Sequence, residues 1–314
     1  PPENGPDTVS AVSGDLLSLR LSSLSARRWV ARCTTYLRVG GGPSICTAAV
    51  SAPALTRALR LFPRISYLTV QAPSSGAVGV HLPSRVRHLS LLSCRIPAGA
   101  PPQPPLPRRR RRPPPLESLT VTGPFFLSSS APGLDAIPPP LGALVLSSAT
   151  TLRRLVMTAV RTLSDCHVAG ICLALPLLES LDVSDSCLLL RPTVRSISLE
   201  ELRMGRCPLL TGVETGDGDT TPTCPRLRVL DLGWCRRLTS DSVRDILHGR
   251  ARAAPAGDAL ADGGTQPRPP LTGRHLSDLL LAGCATLSCL YVGGSLEPCH
   301  LHTLDVSACR ALSF

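Results

Sequence analysis

The stretch LRVLDLGWC, residues 227–235, contains a nine-residue template, Leu-x-x-Leu-x-Leu-x-x-Cys, that recurs along the chain. Clear copies are LEELRMGRC (199–207), LSDLLLAGC (276–284), LHTLDVSAC (301–309) and VRHLSLLSC (86–94), and the ninth position changes in LESLDVSDS (178–186) and LESLTVTGP (116–124). Looser copies are ISYLTVQAP (65–73), LGALVLSSA (141–149) and LRRLVMTAV (152–160). Ten copies in one phase indicate a repeat architecture.

The spacing within the template predicts a strand with one buried face. Apolar residues at the fourth and sixth positions alternate with polar neighbours, which is the two-residue period of a half-buried strand. The ninth position turns inward after the strand, and cysteine suits it as a small buried hydrophobe. Because one copy cannot bury its own leucines, neighbouring copies must stack into a parallel sheet over a continuous core.

Two segments that follow template copies have the pattern of short helices. After Cys235, the segment from Leu238 to Leu247 places Val243, Ile246 and Leu247 on one helical face, with Ser240 or Asp241 as the capping residue. A second segment begins at residues 163–165 and ends at Pro176. The sequence therefore predicts an α/β fold.

The distances between copies are irregular. Ile65 and Val86 are 21 residues apart, which accommodates a strand and a return segment, whereas Leu141 and Leu152 are only 11 apart. Eleven residues cannot hold a strand and a helix. Either those copies lack the helix, or one of them is not a strand of the sheet.

The template, with the Leu-Thr-Ser-Asp that follows Cys235, resembles the cysteine-containing subclass of leucine-rich repeats. The resemblance implies a solenoid, or horseshoe, with a parallel sheet on its concave face, irregular repeats and disordered insertions. The third, fifth and seventh template positions would then face solvent on the concave side.

A protein partner is expected on that concave face. The candidate partner-binding residues are Asp182, Glu201, Arg203, Asp231, Trp234 and Asp305. One interpretation is a mildly acidic groove for a basic peptide or protein face. The other is that aspartate at the fifth position only keeps the strand soluble. Trp234 would be an exposed binding hot spot or would pack under the following helix.

The N-terminal residues 15–29, DLLSLRLSSLSARRW, resemble the second half of an F-box. F-box proteins with leucine-rich repeats also share the order that follows, a strand-like segment at 36–39 and an arginine-rich helix ending in Phe62-Pro63 before Ile65. The resemblance implies a substrate receptor of a cullin-RING (SCF-type) ubiquitin ligase. The residues implied to bind its Skp-type adaptor, and through it the cullin, are Leu16, Leu17, Leu19, Leu21 and Trp29. The alternative is an amphipathic cap over the first repeat.

The predicted organisation is a disordered segment at 1–14, an F-box-like remnant or cap at 15–36, and repeats at 37–314 with insertions at 97–115, 212–224 and 249–270. Nine of the nineteen residues at 97–115 are proline, and residues 108–112 are all arginine. This insertion could dock an SH3-like groove or act as a nuclear-import signal. The alternative is a low-complexity loop outside the core.

The amino-acid composition limits the classes of partner and the cellular compartments to be expected. Aromatic residues make up only 3% of the chain, and five of the charges behind the net +11 belong to the arginine run, so nucleic acid is not the expected partner. The number of cysteines, 13, is odd and five occupy the ninth template position, which indicates reduced thiols and a cytoplasmic protein, with the nucleus as the alternative. No stretch is long and apolar enough for a membrane span.

No catalytic, cofactor or metal site is predicted. Cys284, Cys289, Cys299, His300 and His302 lack the tight Cys-x-x-Cys pair typical of structural zinc. The consecutive residues 165–167, Asp-Cys-His, would point apart on a helix. The predicted function is therefore a protein-interaction module and not an enzyme. Its sharper form is the substrate receptor in ubiquitin-dependent degradation, and the alternative is a leucine-rich-repeat scaffold or regulatory protein without a ligase link.

Overall fold

The computed structural model describes residues 35–39, 52–62, 64–71, 82–93, 115–123, 139–214, 223–248, 270–271, 275–290 and 301–313. Within them lie ten strands: β1 (Tyr36–Val39), β2 (Tyr67–Gln71), β3 (His88–Leu92), β4 (Ser118–Thr122), β5 (Arg154–Thr158), β6 (Ser180–Asp182), β7 (Glu201–Arg203), β8 (Val229–Asp231), β9 (Asp278–Leu280) and β10 (Thr303–Asp305). Four helices accompany them: α1 (Ala52–Leu61), α2 (Pro139–Ser147), α3 (Asp165–Ala174) and α4 (Ser240–His248). The α/β class expected from the sequence is confirmed.

The chain divides into two compact units. The first comprises Pro1–Ser128 and Ile137–Met157, and the second comprises Ser129–Ala136 and Thr158–Phe314. Within the first unit the strands follow chain order from β1 to β5, and within the second from β6 to β10. Every pair with a determined register is parallel and joins equivalent template positions, as in Leu202↔Leu230 and Leu230↔Leu279.

The core consists mainly of the apolar template positions that the sequence predicted to be buried. In the template copies of β6, β7 and β8, residues at the first, fourth and sixth positions, such as Leu227, Leu230 and Leu232, have no exposed surface. In β3, β4 and β8 buried residues alternate with partly exposed ones, so one side of the sheet packs on the core and the other meets solvent. Leu304 of β10 differs, with 43% of its surface exposed.

A residue with positive φ follows each of the strands β3 to β10, at the eighth template position. Among the described residues, all those with positive φ occupy this position: Ser93, Gly123, Ala159, Asp185, Arg206, Trp234, Gly283 and Ala308. Such backbone conformations are uncommon for residues other than glycine. Their confinement to one position shows that the template copies of β3 to β10 are structurally equivalent, including the loose copy that ends at Val160.

One template copy is not a strand. Residues 141–149 lie largely in helix α2, which resolves the 11-residue separation between Leu141 and Leu152 because one member is outside the sheet. The tenth strand is instead β1, at the strand-like segment before the first template copy, and it pairs with β2 from Tyr36↔Tyr67 to Val39↔Val70. Sequence separation alone could not distinguish these arrangements.

The predicted helices are confirmed, with one difference in capping. Ser164 precedes α3 as its N-cap, and its N–H donates to Nδ1 of His167 at 3.0 Å. For α4, Thr239 accepts the N–H of Ser242 at 3.3 Å, so neither Ser240 nor Asp241 is the cap. Ser240 Oγ instead accepts the N–H groups of Ser288 and Cys289, both at 3.0 Å. No helix among the described residues has the length and apolar character needed to cross a membrane.

Candidate functional site

The solvent-facing side of β6–β10 carries most of the residues predicted to bind a partner. We call this surface the second strand face and define it as the third, fifth and seventh template positions of these strands. It consists of Ser180, Asp182, Ser184, Glu201, Arg203, Gly205, Val229, Asp231, Gly233, Asp278, Leu280, Ala282, Thr303, Asp305 and Ser307. The register aligns Asp182, Arg203, Asp231, Leu280 and Asp305 in one row across the strands, with Glu201 in the row beside it.

The three aspartates of this row share one local contact. The backbone N–H of the residue two positions later donates to Oδ1 of Asp182 at 3.0 Å, of Asp231 at 3.0 Å and of Asp305 at 2.9 Å. Hydrogen bonds from Ser307 also hold the pKa of Asp305 below its ordinary value. Each carboxylate therefore supports the turn that ends its strand, a structural role that neither interpretation of the sequence foresaw.

A fourth aspartate belongs to the face, although the sequence analysis did not single it out. Asp278, at the third position of its template, accepts a hydrogen bond from Ser277 Oγ at 2.6 Å. Hydrogen bonds from Ser277 and Thr303 lower its pKa, and the charge of His302 acts in the same direction. The sequence LSDLLLAGC already indicated this position, because its acidic residue stands at the solvent-facing third position and its fifth position is leucine.

The one arginine of the face is close to a carboxylate. Arg203 Nη2 lies 3.7 Å from Glu201 Oε2, and Ser180 Oγ donates to the same oxygen at 3.1 Å. The second strand face therefore holds five carboxylates and one guanidinium. Because four of these negative charges have no arginine of the face to balance them, the surface is suited to a positively charged partner.

Trp234 stands at the edge of this face, at the eighth template position. Its side chain is exposed over 55% of its surface, so it does not pack under the following helix. A Cβ built on Gly283 would lie 2.6 Å from Cδ2 and Cε3 of the indole, which places the ring directly against that glycine. Gly205 and Gly233, at the seventh position, are both buried, and a Cβ built on them would lie 3.4 Å and 3.3 Å from Asp231 Oδ1, so the Asp231 carboxylate lies against both glycines.

The eighth-position row also contains an ion pair. Arg206 donates from Nε to Asp185 Oδ1 at 2.6 Å and from Nη2 to Oδ2 at 2.8 Å. These hydrogen bonds and the charge of Asp185 raise the pKa of Arg206, with Asp182 and Asp231 adding to the effect. Since the Arg206 side chain is 64% exposed, the pair fixes the positions of the two groups more than it stabilises the fold.

The ninth-position cysteines form a thiol ladder in the second unit, which we define as Cys207, Cys235, Cys284 and Cys309. Each thiol donates to the sixth-position carbonyl of the preceding template: Val183 at 3.8 Å, Met204 at 3.2 Å, Leu232 at 3.4 Å and Leu281 at 3.1 Å. Burial raises the pKa of Cys207 to about 12 and that of Cys284 to about 11. Cys309 is only partly buried, and Cys94 lies outside the described residues.

The residues weighed as a nucleophile and base have other contacts. Both carboxylate oxygens of Asp165 accept backbone N–H groups, from Leu190 and Arg191, at 3.0 Å each. His167 is buried and contacts Ser164, and Cys166 lies on the exposed side of α3. In the part of the chain that the structure describes, no group of three or more histidine, cysteine or acidic residues is arranged to hold a metal ion.

Leu16, Leu17, Leu19, Leu21 and Trp29, the residues implied to bind an adaptor, lie outside the described residues. Comparison with family models, with curated proteins and with solved structures found no match for this chain. The functional assignment consequently rests on the contacts and charges of the described residues.

Proposed function

We propose that the chain is a leucine-rich-repeat solenoid that binds a protein partner, and that the partner contacts the second strand face beside Trp234. The exposed indole is the observation that carries this proposal. A tryptophan with 55% of its surface in water leaves a large apolar area uncovered, and such side chains supply much of the affinity in protein interfaces.

The surroundings of Trp234 suit an anchor. Its backbone is held in the left-handed region with φ of 62°, and the ring rests against Gly283. A side chain that is already positioned loses little conformational entropy on binding.

The charges of the face indicate the chemistry of the partner. The five carboxylates, three of them in the row of Asp231, would attract a surface rich in lysine or arginine and speed its association. Their turn-forming hydrogen bonds use one oxygen of each of those three aspartates, while the other oxygen is available to a guanidinium or ammonium group.

The test compares Trp234→Ala with Ile197→Ala, which truncates another exposed apolar residue of the second unit, with 77% of its surface exposed. Partners retained from native cell extract by the unmodified chain are identified, and the affinity of each purified partner is then measured. We expect Trp234→Ala to weaken binding by about 2 kcal/mol or more and Ile197→Ala to leave it unchanged. Equal affinities for both variants would exclude the second strand face.

A role as substrate receptor of a ubiquitin ligase is a second proposal. It is supported by the order of elements after the F-box-like segment, in which β1 is followed by α1 and α1 ends just before Phe62. That order matches the one implied by the resemblance to F-box proteins. The alternative remains a scaffold or regulatory protein without a ligase link.

A deletion can separate these alternatives without damaging the sheet. Because the carbonyl of Thr35 accepts hydrogen bonds from Ser66 and Tyr67, the deletion must stop before residue 35. We expect the full chain, and not a chain lacking residues 1–34, to retain a Skp-type adaptor and a cullin from cell extract. Retention by neither, with Trp234-dependent partners kept by both, would refute the ligase role and leave the binding function intact.

A further inference from the structure

The first unit is strongly basic where the second is nearly neutral. Its described residues contain eight arginines and a single acidic residue, Glu117, for a net charge of +7. The described residues of the second unit contain 11 arginines and 12 acidic residues, for a net charge of −1. The long arginine run at residues 108–112 contributes to neither number, because it lies outside the described residues.

An aromatic row crosses the solvent-facing side of the first three strands. We call the third, fifth and seventh positions of β1–β5 the first strand face. The register aligns Tyr36 with Tyr67 and Tyr67 with His88. The rings of Tyr67 and His88 stack with centroids 4.1 Å apart and planes inclined by 8°, and Tyr67 is 46% exposed. Two of the three tyrosines in the chain therefore occupy one row.

Arginines surround this row. Arg38 lies on β1 and donates from Nη2 to Gln71 Oε1 at 3.1 Å. Arg154 occupies the third position of β5, as His88 does in β3. Burial is the main cause that lowers the pKa of His88. The charges of Arg154 and Arg87 add to this effect, and only Glu117, whose Oε1 is 3.5 Å from Arg87 Nη1, opposes it.

The ring geometry decides between two kinds of anionic partner. Stacked rings 4.1 Å apart on strands about 4.8 Å apart stand upright on the sheet, so their faces meet each other and their edges reach solvent. A nucleic-acid platform offers ring faces on which bases stack. Ring edges carry partial positive charge, and the phenol and imidazole tips donate hydrogen bonds, so this row complements carboxylates.

We propose that the first strand face binds an acidic peptide segment of a partner protein. Carboxylates of the segment pair with Arg38 and Arg154, and the edges of Tyr67 and His88 lie between those guanidinium groups. Arginine binds carboxylates through two parallel hydrogen bonds, which gives such a site geometric selectivity beyond net charge. The proposal involves residues of the first unit alone and does not depend on the function proposed for the second strand face.

The test uses the full chain and three fluorescein-labelled probes of equal length: a peptide of alternating Glu and Ser, a peptide of alternating Lys and Ser, and an oligouridylate. Binding is followed by fluorescence anisotropy. We expect the acidic peptide to bind most tightly and Arg154→Glu or Tyr67→Ala to weaken it by about tenfold. Arg226→Glu, an equal charge reversal at an exposed site of the second unit, should change affinity less than about twofold.

A second readout reports on the site itself. Bound carboxylates favour the protonated imidazole, so the acidic peptide should raise the pKa of His88, measured by NMR, and Arg154→Gln should reduce that rise. Three results would overturn the proposal: equal losses in Arg154→Glu and Arg226→Glu, an unmoved His88 titration, or tighter binding of the oligouridylate that depends on Tyr67. The last result would identify a nucleic-acid surface instead.

Discussion

The indole of Trp234 occupies the space in which a side chain at Gly283 would lie. These residues hold the eighth position in neighbouring templates, and both have left-handed backbone conformations, with φ of 62° and 69°. The glycine therefore meets two demands at once, since it adopts positive φ without strain and leaves room for the ring. Because Gly283 has no side chain, the Trp234 ring can lie against the neighbouring template.

Gly283→Ala should disturb both the left-handed backbone at residue 283 and the position of the Trp234 indole. The added Cβ would lie 2.6 Å from the indole in a backbone region that costs about 1–2 kcal/mol for residues other than glycine. We expect a loss of stability of at least this size in urea unfolding and a changed tryptophan emission, measured with Trp29→Phe so that Trp234 is the only tryptophan. Gly212→Ala is the control, because its Cβ would meet Ser242 at an ordinary 3.6 Å. Similar effects of both substitutions would contradict the assigned contact.

Substitution of Asp231 can separate its turn-forming role from its charge. Asn retains an oxygen that accepts the Gly233 N–H, whereas Ala removes the acceptor. We expect Asp231→Asn to keep the unfolding free energy within about 0.5 kcal/mol and Asp231→Ala to lose about 1 kcal/mol. Both substitutions should weaken the binding of a basic partner, because both remove the negative charge. If Asp231→Asn binds that partner as the unmodified chain does, the carboxylate serves the turn alone.

Ser186 occupies the ninth position where most strong template copies have cysteine, and its hydroxyl is buried without a hydrogen-bond partner among the described residues. A thiol is less costly to bury than a hydroxyl, because it is a weak donor and behaves as a small hydrophobe. We expect Ser186→Cys to raise the unfolding free energy by about 1 kcal/mol and the reverse change, Cys235→Ser, to lower it by a similar amount. A destabilised Ser186→Cys would mean that the hydroxyl has a role in the fold.

Native thiol labelling should follow burial along the thiol ladder. The sequence predicted that Cys207, Cys235, Cys284 and Cys309 would all be protected, but Cys309 is only partly buried. With an aromatic disulfide reagent at neutral pH, we expect the exposed Cys166 and Cys187 to react first, because the accessible thiolate is the reactive species. Cys309 should follow, and the other three should react only on unfolding. Mass spectrometry of labelled peptides assigns each site, and early labelling of Cys235 would contradict the packing.

Alkaline solution should destabilise the chain through the same thiols. Burial raises the pKa of Cys207 from 9.0 to about 12 and that of Cys284 from 9.0 to about 11, so above pH 9 the unfolded state releases protons that the folded state keeps. Their contribution is complete below pH 9 and is lost as pH rises toward the folded pKa, by up to about 1.4 kcal/mol per pH unit for each thiol. Urea unfolding between these limits should show a shallower pH dependence in Cys284→Ala. An unchanged slope would refute the assignment.

The sequence predicted the strands because their signal lies within each nine-residue copy. The alternation that buries Leu230 and Leu232 is visible in LRVLDLGWC, and the ninth-position cysteine follows from the same phase. Helix α2 was not predicted, because its apolar residues resemble the template and only the distance from Leu141 to Leu152 argued against a strand. The left-handed eighth position was also missed, since Asp, Arg and Trp give no glycine signal there.

The aromatic row could not be recognised by looking for aromatics close to basic residues in the chain. Tyr67 and His88 are 21 residues apart, and only the shared third position of two template copies brings them together. Contacts of this kind depend on the register between copies, whereas strand patterns depend on neighbours in sequence. The basic character of the first unit was hidden in the same way, because the net charge of the whole chain was attributed to residues 108–112.

The thiol ladder has a consequence for how such a chain can change in length. Each template of the thiol ladder has a ninth-position thiol that donates to the sixth-position carbonyl of the preceding template. A gene duplication or loss that spans one whole template leaves every donor matched with an acceptor, whereas a partial one leaves a buried group orphaned. Additional sequence is accommodated between templates, where the longest separation, from Leu227 to Leu276, is found. Evolution can therefore vary the number of templates and the connecting segments separately.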